Sequence, residues 1–365
     1  MADGNLTEEQ IRELLESVED PEFGQSIVDL GMVKEIQVDE NTAHVDFQLP
    51  TPAHPARAEM ERQIRAILAD KLDVTSVVMN TTWNVRPSGA GSPNAEALPT
   101  VKNTVAVASG KGGVGKSTVA VNMAIALAQD GARVGLLDAD VYGPSIPIMM
   151  GLNTRPVLNN ERIVPLEAFG LKMMSIGFLM DPDKALIWRG PLVAQLITQF
   201  LKDVEWGDLD YLIIDMPPGT GDAQLTLVQQ IPLSGAVIVT TPQDIALADA
   251  IKGLAMFQEV KTSILGIVEN MSYFACPHCG EASEIFGYGG GERTAEKYEV
   301  PLLGQIPLEL SIRQGGDIGH PVVVSDPDQP AAQAFRSSAR RAAINLAKDA
   351  QEKPRRPKIM LKKAQ

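Results

Sequence analysis

Short runs of apolar, often β-branched residues alternate with longer helical stretches from residue 103 onward. These runs span 104–108, 133–137, 211–215, 236–240, 264–268 and 302–306. Strands buried on both faces have this continuous apolar character, and their alternation with helices is typical of a parallel sheet covered by helices on both sides. The pattern predicts an α/β fold with a doubly wound, mostly parallel sheet over residues 103–347.

The first part of the chain has a different pattern. The predicted elements are a helix that begins at a capping box over 7–10 and runs to Val18, strands over 33–38 and 43–49, a helix over 60–68 and a strand over 74–79. Residues 5–86 are therefore predicted to form a small α/β domain. The segment 87–102 is rich in Pro, Gly and Ser and predicts a linker.

Charge is distributed unevenly along the chain. The net charge is −14, yet residues 346–365 carry seven Lys or Arg against Asp349 and Glu352, so the remainder carries −19. A body this acidic disfavours nucleic acid as a partner. The basic end predicts a solvated, flexible tail over 348–365.

The hydropathy pattern also bears on membranes. No uninterrupted apolar run reaches the roughly 18 residues that a membrane span needs. The first ten residues are polar and acidic, unlike a signal peptide. We therefore expect a cytoplasmic protein with no membrane partner.

A glycine-rich segment follows the first predicted strand of the larger region. Gly110-Lys-Gly-Gly-Val-Gly-Lys-Ser117 fits the phosphate-loop pattern G-x-x-x-x-G-K-[ST] and precedes a helical stretch, as that motif requires. Glycines let backbone N–H groups turn toward phosphate oxygens, and the helix N-terminus adds positive potential. Lys116 is predicted to contact the β- and γ-phosphates, and Ser117 to bind Mg²⁺. The predicted nucleotide-binding residues of the loop are Gly110, Lys111, Gly112, Gly113, Val114, Gly115, Lys116, Ser117 and Thr118.

Two further strand ends carry aspartates. Asp138 and Asp140 follow the second predicted strand, and Asp215 ends the third. Ligands of doubly wound sheets gather at the carboxyl ends of strands, where an aspartate holds Mg²⁺ or orients the attacking water. We assign Asp215 to Mg²⁺ and Asp140 to the water, with Asp138 in support. The alternative is that each aspartate only caps the following turn. The predicted activity is Mg²⁺-dependent ATP hydrolysis.

The only cysteines, Cys276 and Cys279, form a C-x-x-C pair. A dithiol switch is one interpretation, although such motifs normally sit between a strand and a helix of another fold. A structural zinc site needs four ligands, so it would bridge subunits or recruit His278. A [4Fe–4S] cluster usually takes four thiolates, which two chains would supply symmetrically.

Taken together, these segments resemble the Mrp/ApbC iron–sulfur cluster carrier ATPases, relatives of the Min and Par ATPases and of nitrogenase iron protein. The matching segments are SGKGGVGKST (109–118), LLDADVYGPSIP (136–147), WRGP (188–191), WGDLDYLIIDMPPGTGDAQLTL (206–227), TTPQDIALAD (240–249), ENMSYFACPHCG (269–280) and FGYGGG (286–291). Residues 5–86 resemble the small iron–sulfur assembly domain that often precedes this ATPase. His54 stands where that domain often has Cys, and it cannot carry a persulfide.

The resemblance implies roles that the pattern alone does not give. The Lys-Gly-Gly start of the loop resembles the deviant Walker A signature, which implies a homodimer in which Lys111 stabilises transition-state charge at the partner's nucleotide. It implies that Asn270 contacts adenine and that Cys276 and Cys279 of two chains bind a [4Fe–4S] cluster. The implied function is an ATPase that carries this cluster to apo iron–sulfur proteins, with cluster assembly factors as further partners.

Three other functions compete with this one. A Min/Par-like positioning ATPase generally ends in an amphipathic helix or carries basic patches, and the C-x-x-C pair argues against it. An ATPase with a zinc-clasped dimer would use the same cysteines. A reductase like nitrogenase iron protein needs two cluster cysteines far apart in sequence, which this chain lacks.

Overall fold

A small three-stranded sheet with two helices forms the N-terminal part of the chain. The computed structural model describes residues 8–39, 42–71, 74–88, 95–180, 190–276 and 278–352. The main elements of the small domain are α1 (Glu8–Leu15), β1 (Val33–Asp39), β2 (Thr42–Leu49), α2 (Arg57–Lys71) and β3 (Ser76–Trp83), and a short antiparallel pair, Glu19–Asp20 with Gln25–Ser26, lies between α1 and β1. Strand β2 pairs antiparallel with β1 and parallel with β3. Alternate residues of β2, Val45, Phe47 and Leu49, are fully buried, as their spacing predicts.

The larger part is built on a sheet that has eight strands within the described residues. Its strands are β4 (Val101–Ala108), β5 (Val134–Asp138), β6 (Leu166–Ala168), β7 (Leu171–Ser175), β8 (Leu209–Asp215), β9 (Gly235–Thr240), β10 (Ile264–Glu269) and β13 (Leu302–Gln305), and a two-strand hairpin, β11 (Phe274–Ala275) and β12 (Ala282–Ser283), stands apart from it. The order is β6-β7-β5-β8-β4-β9-β10-β13. All neighbours are parallel except β6 and β7.

Helices cover both faces of this sheet. They are α3 (Lys116–Gln129), α4 (Ile146–Met149), α5 (Gly190–Asp203), α6 (Asp222–Gln230), α7 (Asp244–Glu259), α8 (Gly290–Lys297), α9 (Leu310–Ile318), α10 (Val322–Ser325) and α11 (Pro330–Glu352). Strand β4 shows the two-sided burial: Val105 and Val107 join the core under α3 and α11, while Ala106 and Ala108 join the core under α5, α6 and α7. The predicted doubly wound α/β fold is confirmed. No helix in the described part of the chain is both long enough and apolar enough to cross a membrane.

Two predicted bounds shift in the small domain, since α1 ends at Leu15 rather than Val18 and β3 spans Ser76–Trp83 rather than 74–79. Three larger differences lie in the rest of the chain. The edge strands β6 and β7 were not predicted, because β6 is only three residues long and β7 (LKMMS) contains no β-branched residue. Strand β4 begins at Val101, inside the predicted linker. Helix α11 continues to Glu352, so residues 348–352 of the predicted tail are helical. The rest of the tail prediction lies outside the described residues, as do Trp188 and Arg189 of the WRGP segment.

The small domain docks against the amino-terminal ends of the large sheet's strands. The hydroxyl of Tyr211, near the start of β8, donates a hydrogen bond of 2.9 Å to Thr51 Oγ1. Ala53, two residues further along the same loop, is buried in the core under α3. Lys348 Nζ lies 3.3 Å from Glu22 Oε2, which joins α11 to the small domain. These contacts lie at the edge opposite the carboxyl ends of the strands.

His54 lies in this docking loop and is buried together with Asp20. Its Nδ1 accepts a hydrogen bond of 3.3 Å from the backbone N–H of Ala56, and its Nε2 lies 3.0 Å from Asp20 Oδ2. Across the described ranges, no three His, Cys, Asp or Glu side chains are grouped so that they could hold a metal ion. The local contacts of His54 are therefore those of a residue that fixes the turn before α2.

The Tyr211–Thr51 contact predicts a measurable contribution to stability. Tyr211→Phe removes a hydrogen bond in the buried interface, so we expect the free energy of unfolding to fall by about 1 kcal/mol. Urea unfolding of both proteins measures it. Tyr298→Phe, the same chemical change on a partly buried tyrosine after α8, is the control. Equal stability of wild type and Tyr211→Phe would show that the interface hydrogen bond contributes nothing.

Candidate nucleotide site and cysteine hairpin

The phosphate loop connects β4 to α3 and needs glycine for steric reasons. Gly113 and Gly115 have φ of 82° and 83°, in the left-handed region that other residues rarely adopt. A side chain at Gly115 would overlap the amide of Asn270, and one at Gly110 would overlap the backbone of Asp249 in α7. The loop is thus held between the end of β10 and the first turns of α7.

Lys116 lies at the centre of the buried charges behind the loop. Its side chain is 6% exposed, and its Nζ lies 2.5 Å from Asp215 Oδ1 and 3.6 Å from Asp140 Oδ2. The same ammonium donates a hydrogen bond of 3.1 Å to Ser117 Oγ. The structure therefore brings together Lys116, Ser117, Asp140 and Asp215, which lie on three different strand ends or loops.

Asp215 has an oxygen with no partner. Its carboxylate is fully buried, and burial raises its pKa, an effect that the adjacent Lys116 opposes. Within the described residues Oδ2 accepts no hydrogen bond. A buried carboxylate oxygen without a partner is costly, and hard cations such as Mg²⁺ take oxygen ligands. Asp215 and the nearby hydroxyl of Ser117 form a donor set that fits Mg²⁺.

Asp138 and Asp140 lie on the same turn but differ in their surroundings. The Asp138 carboxylate accepts hydrogen bonds from Ser175 Oγ at 2.9 Å and from the backbone N–H groups of Asp140 at 3.1 Å and Ile146 at 3.4 Å. Burial, and next the charge of Asp215, raises the pKa of Asp138 to about 8. Burial also raises the pKa of Asp140, with Lys116 opposing it. Asp138 thus holds the turn that places Asp140 beside Lys116.

A cavity of about 390 Å³ opens next to the loop. Its walls include Gly115, Thr118, Asn270, Met271, Ile312 and Arg313. The Asn270 amide donates a hydrogen bond of 2.9 Å to the carbonyl of Val114. A largely apolar cleft with one amide and the start of a helix suits a purine base beside a phosphate site. A larger groove of about 1,020 Å³, near residues 96–100, contains none of the predicted site residues.

Lys111 differs from Lys116 in its surroundings. Its backbone carbonyl accepts a hydrogen bond of 2.9 Å from Ser109 Oγ, and its side chain is half-buried at the start of the loop. Among the residues that the structure describes, no carboxylate forms an ion pair with Lys111. The Lys111 ammonium is therefore available to a group other than Asp138, Asp140 and Asp215 of its own chain.

The C-x-x-C pair lies at the tip of the β11–β12 hairpin. The Cys276 N–H donates to the Glu281 carbonyl at 2.9 Å, and the Gly280 N–H donates to the Cys276 carbonyl at 2.8 Å, which closes the turn. Backbone N–H groups of Cys279 and His278 lower the pKa of the Cys276 thiol. Cys276 is half-buried and Cys279 is exposed. The hairpin thus presents two accessible sulfurs, one of them favoured as the thiolate that binds metals.

The sequence interpretation missed two residues that support this site. Ser175, at the end of the unpredicted β7, donates to Asp138. Glu269 is fully buried at the end of β10, next to Asn270. Its signal was present in the sequence, since a single carboxylate ending an apolar strand is the feature that marks Asp138 and Asp215. His278, which only the zinc interpretation would recruit, is exposed on the hairpin tip.

Comparison with known proteins gives the family. A family model described as "NUBPL iron-transfer P-loop NTPase" matches residues 100–343, and one described as "Iron-sulfur cluster assembly protein" matches residues 8–78. The iron–sulfur cluster carrier protein of Synechocystis is 47% identical over 344 residues, covering 93% of this chain and 97% of its own. That of Escherichia coli K12 is 45% identical over 334 residues, covering 91% and 90%. The predicted resemblance to iron–sulfur cluster carrier ATPases is confirmed.

One solved structure is similar to this chain in its fold as well as its sequence. It is a nucleotide-binding protein from Archaeoglobus fulgidus, in complex with ADP and with Co. It is 43% identical, with a TM-score of 0.58, and the match covers 66% of this chain and 94% of that protein. The likeness supports the P-loop NTPase fold of the larger part of the chain.

The raised pKa of Asp138 predicts a pH-dependent stability. Its value in the folded protein lies above the roughly 4 of an unfolded chain, so between those values the folded state binds more protons and stability falls as pH rises. Asp138→Asn removes this dependence. Relative to wild type, the variant should gain stability as the pH rises from 6 to 7.5, measured by chemical unfolding without nucleotide.

The exposed Asp328→Asn is the matched control for this prediction. Its stability should run parallel to that of wild type across the same pH range. Parallel curves for Asp138→Asn as well would contradict the assignment of a raised pKa to this carboxyl group.

Proposed function

The chain belongs to the family of iron-transfer P-loop NTPases whose relatives are iron–sulfur cluster carrier proteins, and from that premise we propose that its dimer carries a bridging [4Fe–4S] cluster and transfers it to apoproteins. The chain is an ATPase of that family. The observation that carries the finer proposal is the two-thiol hairpin: it offers accessible Cys276 and Cys279, and no group of three His, Cys, Asp or Glu side chains in the described ranges could hold a metal ion within one chain.

The nucleotide site supplies the ATP binding and hydrolysis that this function requires. The glycine loop directs backbone N–H groups at phosphate oxygens, and Lys116 places its charge among them. Mg²⁺, which Ser117 and Asp215 would hold, neutralises charge on the β- and γ-phosphates when bound. Lys116 pairs with Asp140 and Asp215, so phosphate oxygens would compete with these carboxylates for its ammonium. Asp140 is then free to orient the attacking water.

Two observations support a dimer across the phosphate loop. Lys111 has no ion-pair partner among the described residues, whereas Lys116 has two. Helix α7 flanks the loop where Gly110 approaches the backbone of Asp249, and its first turn leaves Ile245 73% exposed. An exposed apolar residue beside a charge without a partner suits a protein interface. A partner chain there would receive Lys111 at its own nucleotide.

Two-fold symmetry would complete the cluster-binding site, called the cargo site below, from Cys276 and Cys279 of both chains. One hairpin supplies two thiolates, and a [4Fe–4S] cluster usually takes four. An isologous dimer places the same surface of each chain opposite its copy, so two hairpins facing each other supply the full set. The exposure of Cys279 suits a cluster that must be handed to an apoprotein.

The bound metal and the packing of the C-terminal helix distinguish the rival functions. A zinc-clasped dimer would use the same four thiolates, so metal analysis distinguishes it. A Min/Par-like positioning ATPase would need a free amphipathic end. The described end helix α11 is instead packed against α3, with Ala331, Phe335 and Ala339 fully buried.

The role of Lys111 predicts complementation between inactive subunits. Lys111→Ala and Asp140→Ala should each lower Mg²⁺-dependent ATP hydrolysis by at least about 100-fold, because transition-state charge or the attacking water loses its partner. In a mixed dimer one site keeps both groups. Random pairing of equal amounts should therefore restore about a quarter of wild-type activity per subunit. A mixture no more active than its parts would exclude a shared site.

The cargo assignment is tested by anaerobic reconstitution. Wild-type dimers should hold about four irons with matching labile sulfide, and Cys276→Ala and Cys279→Ala should both lose them while still binding ADP. His278→Ala, in the same turn, is the matched control and should keep the cluster. One tightly bound zinc per dimer without sulfide would make the hairpins a structural clasp instead.

A further inference from the structure

Glu269 is a buried carboxylate that holds both ends of the cysteine hairpin segment. Its side chain is 0% exposed at the end of β10. It accepts hydrogen bonds from Ser272 Oγ at 2.6 Å, before the hairpin, and from the N–H groups of Gly289 at 3.3 Å and Gly291 at 2.5 Å, after it. Gln305 Nε2 donates a fourth at 3.2 Å. One side chain therefore closes the base of the segment that carries the two thiols.

The residues next to Glu269 belong to the nucleotide site. Asn270 donates to the Val114 carbonyl of the phosphate loop, and Met271 lines the adjoining cavity. Met271 has φ of 55°, a left-handed conformation that a non-glycine residue adopts at a cost. Ser272, the next residue, already bonds to Glu269. The residues at the nucleotide site, Asn270 and Met271, are therefore followed directly by Ser272, which is bonded to the carboxylate at the hairpin base.

The contacts around Glu269 leave little room for independent movement. A Cβ atom at Gly291 would lie 2.9 Å from Glu269 Cβ and 3.1 Å from its Oε2, so the start of α8 approaches as closely as only glycine permits. The backbone of Glu269 and Ser272 is further tied to Ile306 by two hydrogen bonds of 2.8 and 2.9 Å. A shift of Asn270 must therefore move the hairpin base with it.

We propose that Glu269 is a positioning residue that transmits the nucleotide state of the phosphate loop to the cysteine hairpin. A nucleotide in the cavity contacts the 270–271 segment. The displacement passes through the carboxylate to Ser272, Gly289 and Gly291, and so changes how the two sulfurs are presented. The consequence for metal rests on the proposed cargo role of Cys276 and Cys279, whereas the mechanical link does not.

Hydrogen exchange of the full chain tests the link without metal. In wild type, saturating ADP should change the exchange rates of peptides covering 272–291. Glu269→Gln keeps the shape of the side chain but turns an amide N–H toward a backbone N–H donor. We expect it to reduce the ADP-induced change more than about fivefold while the affinity for ADP stays within about threefold of wild type.

Controls keep this test specific. Asp130→Asn removes a carboxylate that pairs with Arg340 far from the loop, and it should leave the ADP effect intact. If circular dichroism shows that Glu269→Gln is unfolded, Ser272→Ala removes one of the four hydrogen bonds and should give a smaller loss in the same direction. A wild-type hairpin that ADP does not affect, or a Glu269→Gln hairpin that responds fully, overturns the proposal.

A Co²⁺ titration separates this proposal from the cargo assignment. Thiolate-to-cobalt absorption reports binding at the cysteines, and linkage requires ADP and Co²⁺ to change each other's affinity by the same factor. In wild type that factor should differ from one, and in Glu269→Gln it should approach one. If wild type gives no thiolate–cobalt absorption while ADP still alters hairpin exchange, the cargo role fails and the Glu269 link stands. Equal factors in both proteins would exclude the link.

Discussion

One buried ammonium among buried carboxylates is the constraint on which the site depends. Lys116 lies against Asp215 and near Asp140, and Asp138 is buried behind them. Removing one partner of such a buried pair typically costs about 3–5 kcal/mol, because the remaining charge is left uncompensated. The charges meet because parallel strands end at a common edge. The phosphate loop must follow β4 there, and the glycines allow it to lie against β10 and α7.

The same edge explains why two functions can share one domain. Strand β10 ends in Glu269, and its next residue contacts the phosphate loop. The cysteine hairpin begins four residues later and returns to the sheet at α8. A movement of the phosphate loop can therefore be transmitted to the thiols through a few covalent and hydrogen bonds. The small domain, docked at the opposite end of the strands through Thr51 and Ala53, is not on that route.

Much of the fold was predictable because its signals are local. Buried parallel strands read as apolar runs, and a phosphate loop has a fixed spacing between its strand and helix. Asp138, Asp140 and Asp215 were predictable as a group because each lies at or just after the end of a strand, and these strands must end at the same edge. Strands β6 and β7 were not, since Met173 and Met174 carry no β-strand signal and pairing at a sheet edge is decided by neighbours.

The contacts between segments far apart in the chain could not be predicted from the sequence either. Nothing local shows that Tyr211 reaches Thr51, that His54 lies against Asp20, or that Glu269 collects donors from residues 272 to 305. These pairings depend on how whole elements pack. The role of His54 is an example: the sequence shows only that it stands where the related small domain often has Cys, and the fold shows its buried partner.

The central claim is that the cargo is shared between two copies of the chain, and native mass spectrometry of anaerobic heterodimers tests it most directly. Wild-type subunits are mixed with mass-tagged Cys276→Ala/Cys279→Ala subunits and then reconstituted with iron and sulfide. A bridging site predicts cluster mass on wild-type homodimers and none on heterodimers, which hold only one cysteine pair. A full cluster on the heterodimer, or on a single wild-type chain, would contradict the account.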